Sequence, residues 1–346
     1  MRRVPTILAK AALALLLVAL FAPLSVAKAA PVSAAGSHRR IVDLGTLGGS
    51  QNQSEATAIN ARGEVVGWST LDGGEAVTHA FLWRRGRMVD LAPLTAANAI
   101  NDHGVVAGAG VTASGEYHAF RWAHGKATDL GTLGGDFSQA LGINNRGQIV
   151  GLSTTAAGEP HAFLWARGRM TDLAPLVTAN DINERGQVVG SYRPPGEDDP
   201  HAYLYRLRQR RFTDLGTLYG WLSEATAVNN RGQVVGYVGV RTRIGANSAF
   251  RWSRGHMIDL ETSLENTDSE YSQALGINDR GTVVGVIGVP SVGSRGFVWR
   301  HGVLTTLGVL TEGGMFGGSA NDINHRGVIV GSSGVGHDTY HAVLWR

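Results

Sequence analysis

The chain has 346 residues, no cysteine, 48 glycines, only 10 prolines and a formal net charge of +3. A chain of about 300 residues can bury a sufficient core without disulfide staples, and its glycines recur too regularly for a disordered polymer. The basic balance comes from residues 1–29, which carry Arg2, Arg3, Lys10 and Lys28 and no acid; the remainder holds 27 basic against 28 acidic residues, so bulk charge gives nucleic-acid binding no support.

Residues 1–29 read as a secretory signal, with Arg2, Arg3 and Lys10 as the positive start, an apolar run from Ala11 to Val26, and Ala27-Lys28-Ala29 as the cleavage site. The run is short and interrupted by Pro23, which argues against a transmembrane anchor. The expected destination is extracellular, with periplasmic or cell-envelope association as the alternative. Residues 30–40 read as a flexible lead-in, and Ile41-Val42-Asp43-Leu44 as the first strand.

From there a nine-residue stretch organises the chain. Ile59-Asn60-Ala61-Arg62-Gly63-Glu64-Val65-Val66-Gly67 returns at Ile100, Ile143, Ile182, Val228, Ile277 and Ile323, always with Asn second and Gly fifth and ninth. Asn opens a turn by bonding its own backbone ahead, and the first Gly supplies a positive φ. The Val-Val pair starts a strand, and a Gly inside that strand implies that another group packs close. Each hairpin is followed by a stretch such as His79-Ala80-Phe81-Leu82-Trp83, and then by one such as Met88-Val89-Asp90-Leu91. Successive motif asparagines are 39 to 49 residues apart, a period that predicts propeller blades of four short strands.

The register between the two ends specifies the architecture. Ile41 to Leu44 is a fourth-strand stretch standing before any first strand, and the chain stops at Arg346 with no fourth strand behind Trp345. The expectation is an all-β fold: a seven-bladed β-propeller of four-stranded antiparallel blades spanning 41–346, closed by the N-terminal strand, with 41–46 completing the last blade. An open solenoid would need atypical capping repeats. Asp43 to Gly108 also resembles Asp129 to Gly190 throughout, which points to a duplicated two-blade unit.

The His-Ala-Phe triplets at 79–81, 118–120 and 161–163, weakened to His201-Ala202-Tyr203 and His341-Ala342-Val343 and lost at Ser248 and Arg295, resemble the HAF-repeat family of bacterial extracellular repeat proteins. The Asn-x-x-Gly hairpins and Asp-Leu-Gly-Thr-Leu-Gly-Gly links extend that resemblance over 41–346. What it implies is an exported protein without an assigned reaction, and it transfers no catalytic residue.

Hairpin register places His79 beside Asp90, His118 beside Asp129, His161 beside Asp172, His201 beside Asp214 and, across the closure, His341 beside Asp43. His with carboxylate suits base or metal chemistry, but five copies at equal positions read as scaffold. The aromatic residues at 83, 122, 165, 205, 252, 299 and 345 read as core between blades. Arginines such as Arg62, Arg146, Arg185, Arg231, Arg280 and Arg326 collect on the face of the Asn turns, and acids on the opposite face. The basic face suggests an anionic envelope polymer as a partner.

No Gly-x-Ser-x-Gly elbow and no His-Glu-x-x-His motif is present. The expected function is therefore a secreted, non-enzymatic binding or interaction propeller with no assigned cofactor or metal. Its ligand would be a glycan or a cell-envelope or protein partner, held on the face of the inter-blade links by Phe137, Tyr219, Trp221, Tyr271 and Phe316. The alternatives are a glycan-active hydrolase or lyase using acidic-face carboxylates, and a structural envelope component.

Overall fold

A computed structural model describes residues 39–48, 53–71, 77–218, 220–240, 246–261, 271–290, 292–311, 317–336 and 339–346. The expected signal segment, most of the expected lead-in, Tyr219 and Phe316 lie outside the described residues. Among those described there is no α-helix, and the strands form five four-stranded antiparallel sheets and one sheet of eight. Each repeat builds a meander; the first runs Ser54–Ile59, Val65–Thr70, Thr78–Arg84 and Arg87–Asp90. In the eight-stranded sheet two such meanders join through a single parallel pair, Phe137 with Tyr117.

The local chemistry follows the sequence. Gly63 and Gly147 have φ of +79° and +72°. The ninth motif residue is Gly because the innermost strand runs against it: a Cβ on Gly67 would lie 1.8 Å from the Glu55 carbonyl oxygen, and one on Gly151 1.9 Å from that of Gln139. Trp83 pairs with Met88 and Phe81 with Asp90, the register that brings His79 to Asp90.

The two ends of the repeat region meet. Ile41–Gly45 pairs antiparallel with Tyr340–Trp345, Ile41 opposite Trp345, and completes a sheet with Ile329–Gly334 and Gly318–Ile323. Apolar side chains cluster between successive sheets. One cluster joins Val66 and Leu82 to Ile100 and Val106, and another joins Leu44, Val330 and Leu344 to Ile59 and Phe81. The deepest aromatic positions are Phe81, Phe163, Tyr203, Phe250 and Phe297, all fully buried. Of the tryptophan-position residues expected in the core, Trp252, Trp299 and Trp345 are buried, but Trp83, Trp122, Trp165 and Tyr205 are half-buried. All of them stand next to the outermost strand, where cover differs from repeat to repeat; the Arg251 guanidinium, for example, lies over the Trp299 ring at 5.6 Å.

Candidate functional site in the central cavity

The innermost strands all end in Ile-Asn or Val-Asn, and these ends surround one cavity of about 340 Å³. The seven motif asparagines, each at most 6% exposed, serve two purposes. Asn60 Oδ1 accepts the Arg62 and Glu64 N–H groups, which fixes its own turn, and every copy repeats this at 2.9–3.2 Å. Asn60 Nδ2 donates to the carbonyl of Asn101, Asn101 to Asn144, Asn144 to Asn183, Asn183 to Asn229, Asn229 to Asn278, Asn278 to Asn324, and Asn324 back to Asn60, at 2.8–3.3 Å. A cyclic chain of hydrogen bonds therefore rings the cavity.

A second series forms its rim. In five of the seven repeats the residue after the motif Asn lends a side-chain oxygen to the main chain of the preceding repeat. Ala61 N–H donates to Asp102 Oδ1 at 2.8 Å, Asp102 N–H to Asn145 Oδ1 at 2.7 Å, and Asn145 N–H to Glu184 Oε1 at 2.7 Å. Glu184 N–H then donates to Asn230 Oδ1 at 3.0 Å and Asn230 N–H to Asp279 Oδ1 at 2.7 Å. Asn145 and Asn230 also use Nδ2 to hold the second oxygens of Asp102 and Asp279, at 2.9 and 3.0 Å. Glu184 is half-buried in the cavity wall, and its Oε2 has no partner among the described residues.

Two further carboxyls stand one residue before cavity-lining isoleucines. Asp181 accepts the N–H of Ile182 at 2.7 Å and of Val228 at 2.9 Å, and Asp322 accepts those of Ile323 at 2.7 Å and Ile59 at 2.9 Å. Each thereby ties its strand to the next repeat. Burial pushes both up to about 6, only partly offset by those donors, and the negative charge of Asp322 adds to the rise at Asp181. Glu55 is also raised by burial, which its hydrogen bonds with Asn321 and Trp68 partly oppose. At the matching position Glu224 accepts from Asn180 Nδ2 at 2.9 Å and from the Tyr237 hydroxyl at 2.7 Å.

The His–Asp pairs form as their register implies, with Nδ1 to carboxylate distances of 2.8 Å at His79, 2.9 Å at His118, His161 and His341, and 3.1 Å at His201. The same aspartates accept the N–H two residues on, at Ala92, Gly131, Ala174, Gly216 and Gly45, so they pin the link to the next sheet. At Asp43 burial raises the carboxyl, but the hydrogen bonds from His341 and Gly45 outweigh it and hold the group below its ordinary value. Among the described residues no cluster of three metal-ligating side chains occurs.

The aromatic candidates lie at the other end of the innermost strands, about 20 Å from the Asn turns by strand rise. Phe137 is half-buried and stacks on Tyr117 with ring centroids 5.5 Å apart. Trp221 is 42% exposed and lies over Gly239, where a Cβ would meet its Nε1 at 2.7 Å. Tyr271 covers Gly288, its partner across the strand pair. The cavity rim was missed by sequence reasoning. Its signal was a polar Asp, Asn or Glu directly after the motif Asn in five of seven copies.

No family model and no curated protein matches the chain. Solved structures match at the level of fold. The β-propeller domain of the Trilobed protease from Pyrococcus furiosus, described as having an open velcro topology, aligns with a TM-score of 0.59 and 10% identity over 85% of this chain and 95% of that domain. The acylaminoacyl peptidase of Pyrococcus horikoshii aligns with a TM-score of 0.55 and 10% identity, over 88% of this chain and 52% of the peptidase. A puromycin-hydrolyzing peptidase of Mycobacterium tuberculosis gives 0.52 and 12%, over 82% and 49%. The chain thus spans about half the length of those two whole peptidases.

These likenesses correct the expectation of a secreted, non-enzymatic binding or interaction propeller. That expectation rested on the lack of a catalytic motif, yet the structures this chain resembles belong to peptidases, two of which it matches over only half their length. A missing motif in such a module says nothing against a part in catalysis. In fold, the chain is an all-β propeller of four-stranded antiparallel sheets.

Proposed function

We propose that the chain is a closed seven-bladed propeller of the peptidase kind, which receives the amino end of a peptide in its central cavity for a hydrolytic centre carried by a partner. Seven blades and closure are supported by the seven Asn turns around one cavity, by the hydrogen-bond cycle returning from Asn324 to Asn60, and by the pairing of Ile41–Gly45 with Tyr340–Trp345. The single observation behind the peptide reading is Glu184, a half-buried carboxylate in the cavity wall with one oxygen uncommitted among the described residues. A peptide ammonium supplies the cation and the hydrogen-bond donors that this oxygen lacks.

Export through the leader of residues 1–29, to the periplasm, envelope or medium, belongs to this reading, as does membership of the HAF-repeat family, supported by the triplets at 79–81, 118–120 and 161–163. The turn-tip arginines Arg62, Arg146, Arg185, Arg231, Arg280 and Arg326 are exposed, which favours contact with an anionic envelope polymer on that face. Phe137, Trp221 and Tyr271 would line the opposite mouth.

Titration calorimetry with trialanine and its N-acetyl form tests the cavity. Trialanine binds more tightly, and Glu184→Gln reduces it to the level of the acetylated peptide; equal binding of the two forms refutes the role of Glu184. Depleting the chain from the exported fraction of its source cells with antibody slows cleavage of a peptidyl arylamide. An unchanged rate would detach the propeller from peptide hydrolysis.

A further inference from the structure

The rim series described above is incomplete, and the gap has a defined chemistry. Seven turns present seven equivalent N–H groups at the residue after the motif Asn, and five of them find a side-chain oxygen on the next repeat. The remaining two belong to Asp279 and His325, for which no acceptor exists among the described residues. For His325 the cause is plain: the oxygen should come from residue 61, and residue 61 is alanine. For Asp279 the neighbour is His325, whose imidazole replaces the Asp, Asn or Glu found elsewhere on the rim.

We propose that this gap, above Ala61 and between His325 and Asp279, is a seat for the carboxylate of a peptide whose amino end meets Glu184, so the preferred ligand is a short peptide with both ends free. The carboxylate takes the place of the missing rim side chain, one oxygen accepting His325 N–H and the other Asp279 N–H. The existing links, at 2.7–3.0 Å, show that an oxygen in that position relative to the turn makes a good hydrogen bond. The charges nearest the gap agree with an anion. Asp279 turns its own carboxylate toward Asn230, which binds both oxygens, while Arg280 and Arg326 at the adjoining turn tips are exposed and have no acidic partner among the described residues. Glu184 stands on the opposite arc of the rim, three repeats from His325 in either the ring order or the chain. An amine on one side and a carboxylate on the other fit a zwitterion across a cavity of about 340 Å³.

This inference rests on the peptide reading for the identity of its ligand, but its test does not. The probes are N-acetylglycine and N-acetylglycinamide, which lack a free amine, followed through the backbone amide resonances of Asp279 and His325 in labelled protein. N-acetylglycine shifts both resonances and the amide form does not. Ala61→Asn inserts the missing oxygen; the variant keeps or raises its melting midpoint, and its affinity for N-acetylglycine falls about tenfold or more, the scale of a hydrogen bond to a charged group. Ala61→Ser, too short to span the gap, retains binding and controls for damage to the turn. Equal shifts with both probes, no shift at either amide, or undiminished binding in a folded Ala61→Asn overturn the seat. If N-acetylglycine binds as described while trialanine and its acetylated form bind alike, the seat stands and the role of Glu184 fails.

Discussion

Gly147 and Gly151 stand four residues apart and obey different constraints. Gly147 has φ of +72°, and a methyl group added there would meet nothing within 4 Å, so only backbone strain opposes a side chain. Gly147→Ala should cost about 1–2 kcal/mol. At Gly151 a methyl would lie 1.9 Å from the Gln139 carbonyl oxygen, and the strand pair itself would have to part. Gly151→Ala is expected to cost about 3 kcal/mol or more, the upper range of overpacking. Urea unfolding of the two variants compares them directly; equal losses would show that the close approach does not fix Gly151. Asp181 and Asp322 make a second residue-scale prediction. Their carboxyls ionise at about 6 in the fold, above the ordinary value of 3.8 that they regain in the unfolded chain. Between those values the native state holds more protons, so their contribution makes stability fall as pH rises through that window. Asp43 acts in the opposite sense and lower: its depressed value makes stability fall as pH drops below the ordinary carboxylate range. Asp322→Asn should flatten the decline of unfolding free energy between pH values of about 4.5 and 6.5. The slope reads the proton even if the substitution lowers stability throughout, and an unaltered slope would mean that Asp322 titrates normally.

At the scale of the element, the Asn-x-x-Gly hairpin shows what was legible and what was not. The turn follows from chemistry within a few residues, and the Asn oxygen indeed caps it. The Nδ2 group of the same side chain, at Asn144 and Asn229 for example, bonds a side chain four residues on and also a carbonyl 39 to 49 residues away, a partner fixed only when one sheet packs on the next. The rim residues were illegible for a related reason: Ala61, Asp102, Asn145, Glu184, Asn230, Asp279 and His325 look like unrelated turn residues until the ring aligns them. The fourth-strand offset, by contrast, concerns strand order alone, and Ile41–Gly45 pairs where it implied. Asn183→Ala removes two turn caps, the bond to Gln187 Oε1 and one bond to the next sheet, and leaves the Asn229 carbonyl without that donor. At about 1 kcal/mol net for each bond, the loss should reach about 3–4 kcal/mol. Arg185→Ala, at the exposed tip of the same turn, should stay within about 0.5 kcal/mol. A melt in which both variants behave alike would remove the Asn cycle from the forces holding the sheets together.

For the whole molecule, the decisive property is whether the seam between the last and first repeats is equivalent to the other contacts between chain-adjacent strands. Five of the meanders connect their third and fourth strands through a two-residue turn, as Arg84 to Arg87 does between Trp83 and Met88, and a sixth uses four residues between Arg206 and Arg211. At the seam that turn is the one covalent piece missing: Arg346 and Arg40 already exchange backbone hydrogen bonds at 3.1 and 3.2 Å, the geometry of hairpin partners. Joining Arg346 to Arg40 through an inserted Arg-Gly pair would therefore recreate the two-residue turn found in five other repeats. Opening the chain instead at Arg167-Gly168, in the matching turn of the third repeat, would move the termini without removing a strand. Such a permutant should fold cooperatively and melt within a few degrees of the parent, because loop closure changes the free energy only slowly with the length of chain enclosed. Deleting Ile41–Gly45 should instead abolish the cooperative transition, since Leu344 and Trp345 would lose the strand that pairs with theirs and the cluster around Leu44 would open to water. Both variants report through calorimetric melting. A permutant that fails to fold, alongside a deletion that melts like the parent, would show that the pairing of Ile41–Gly45 with Tyr340–Trp345 does not hold the fold together.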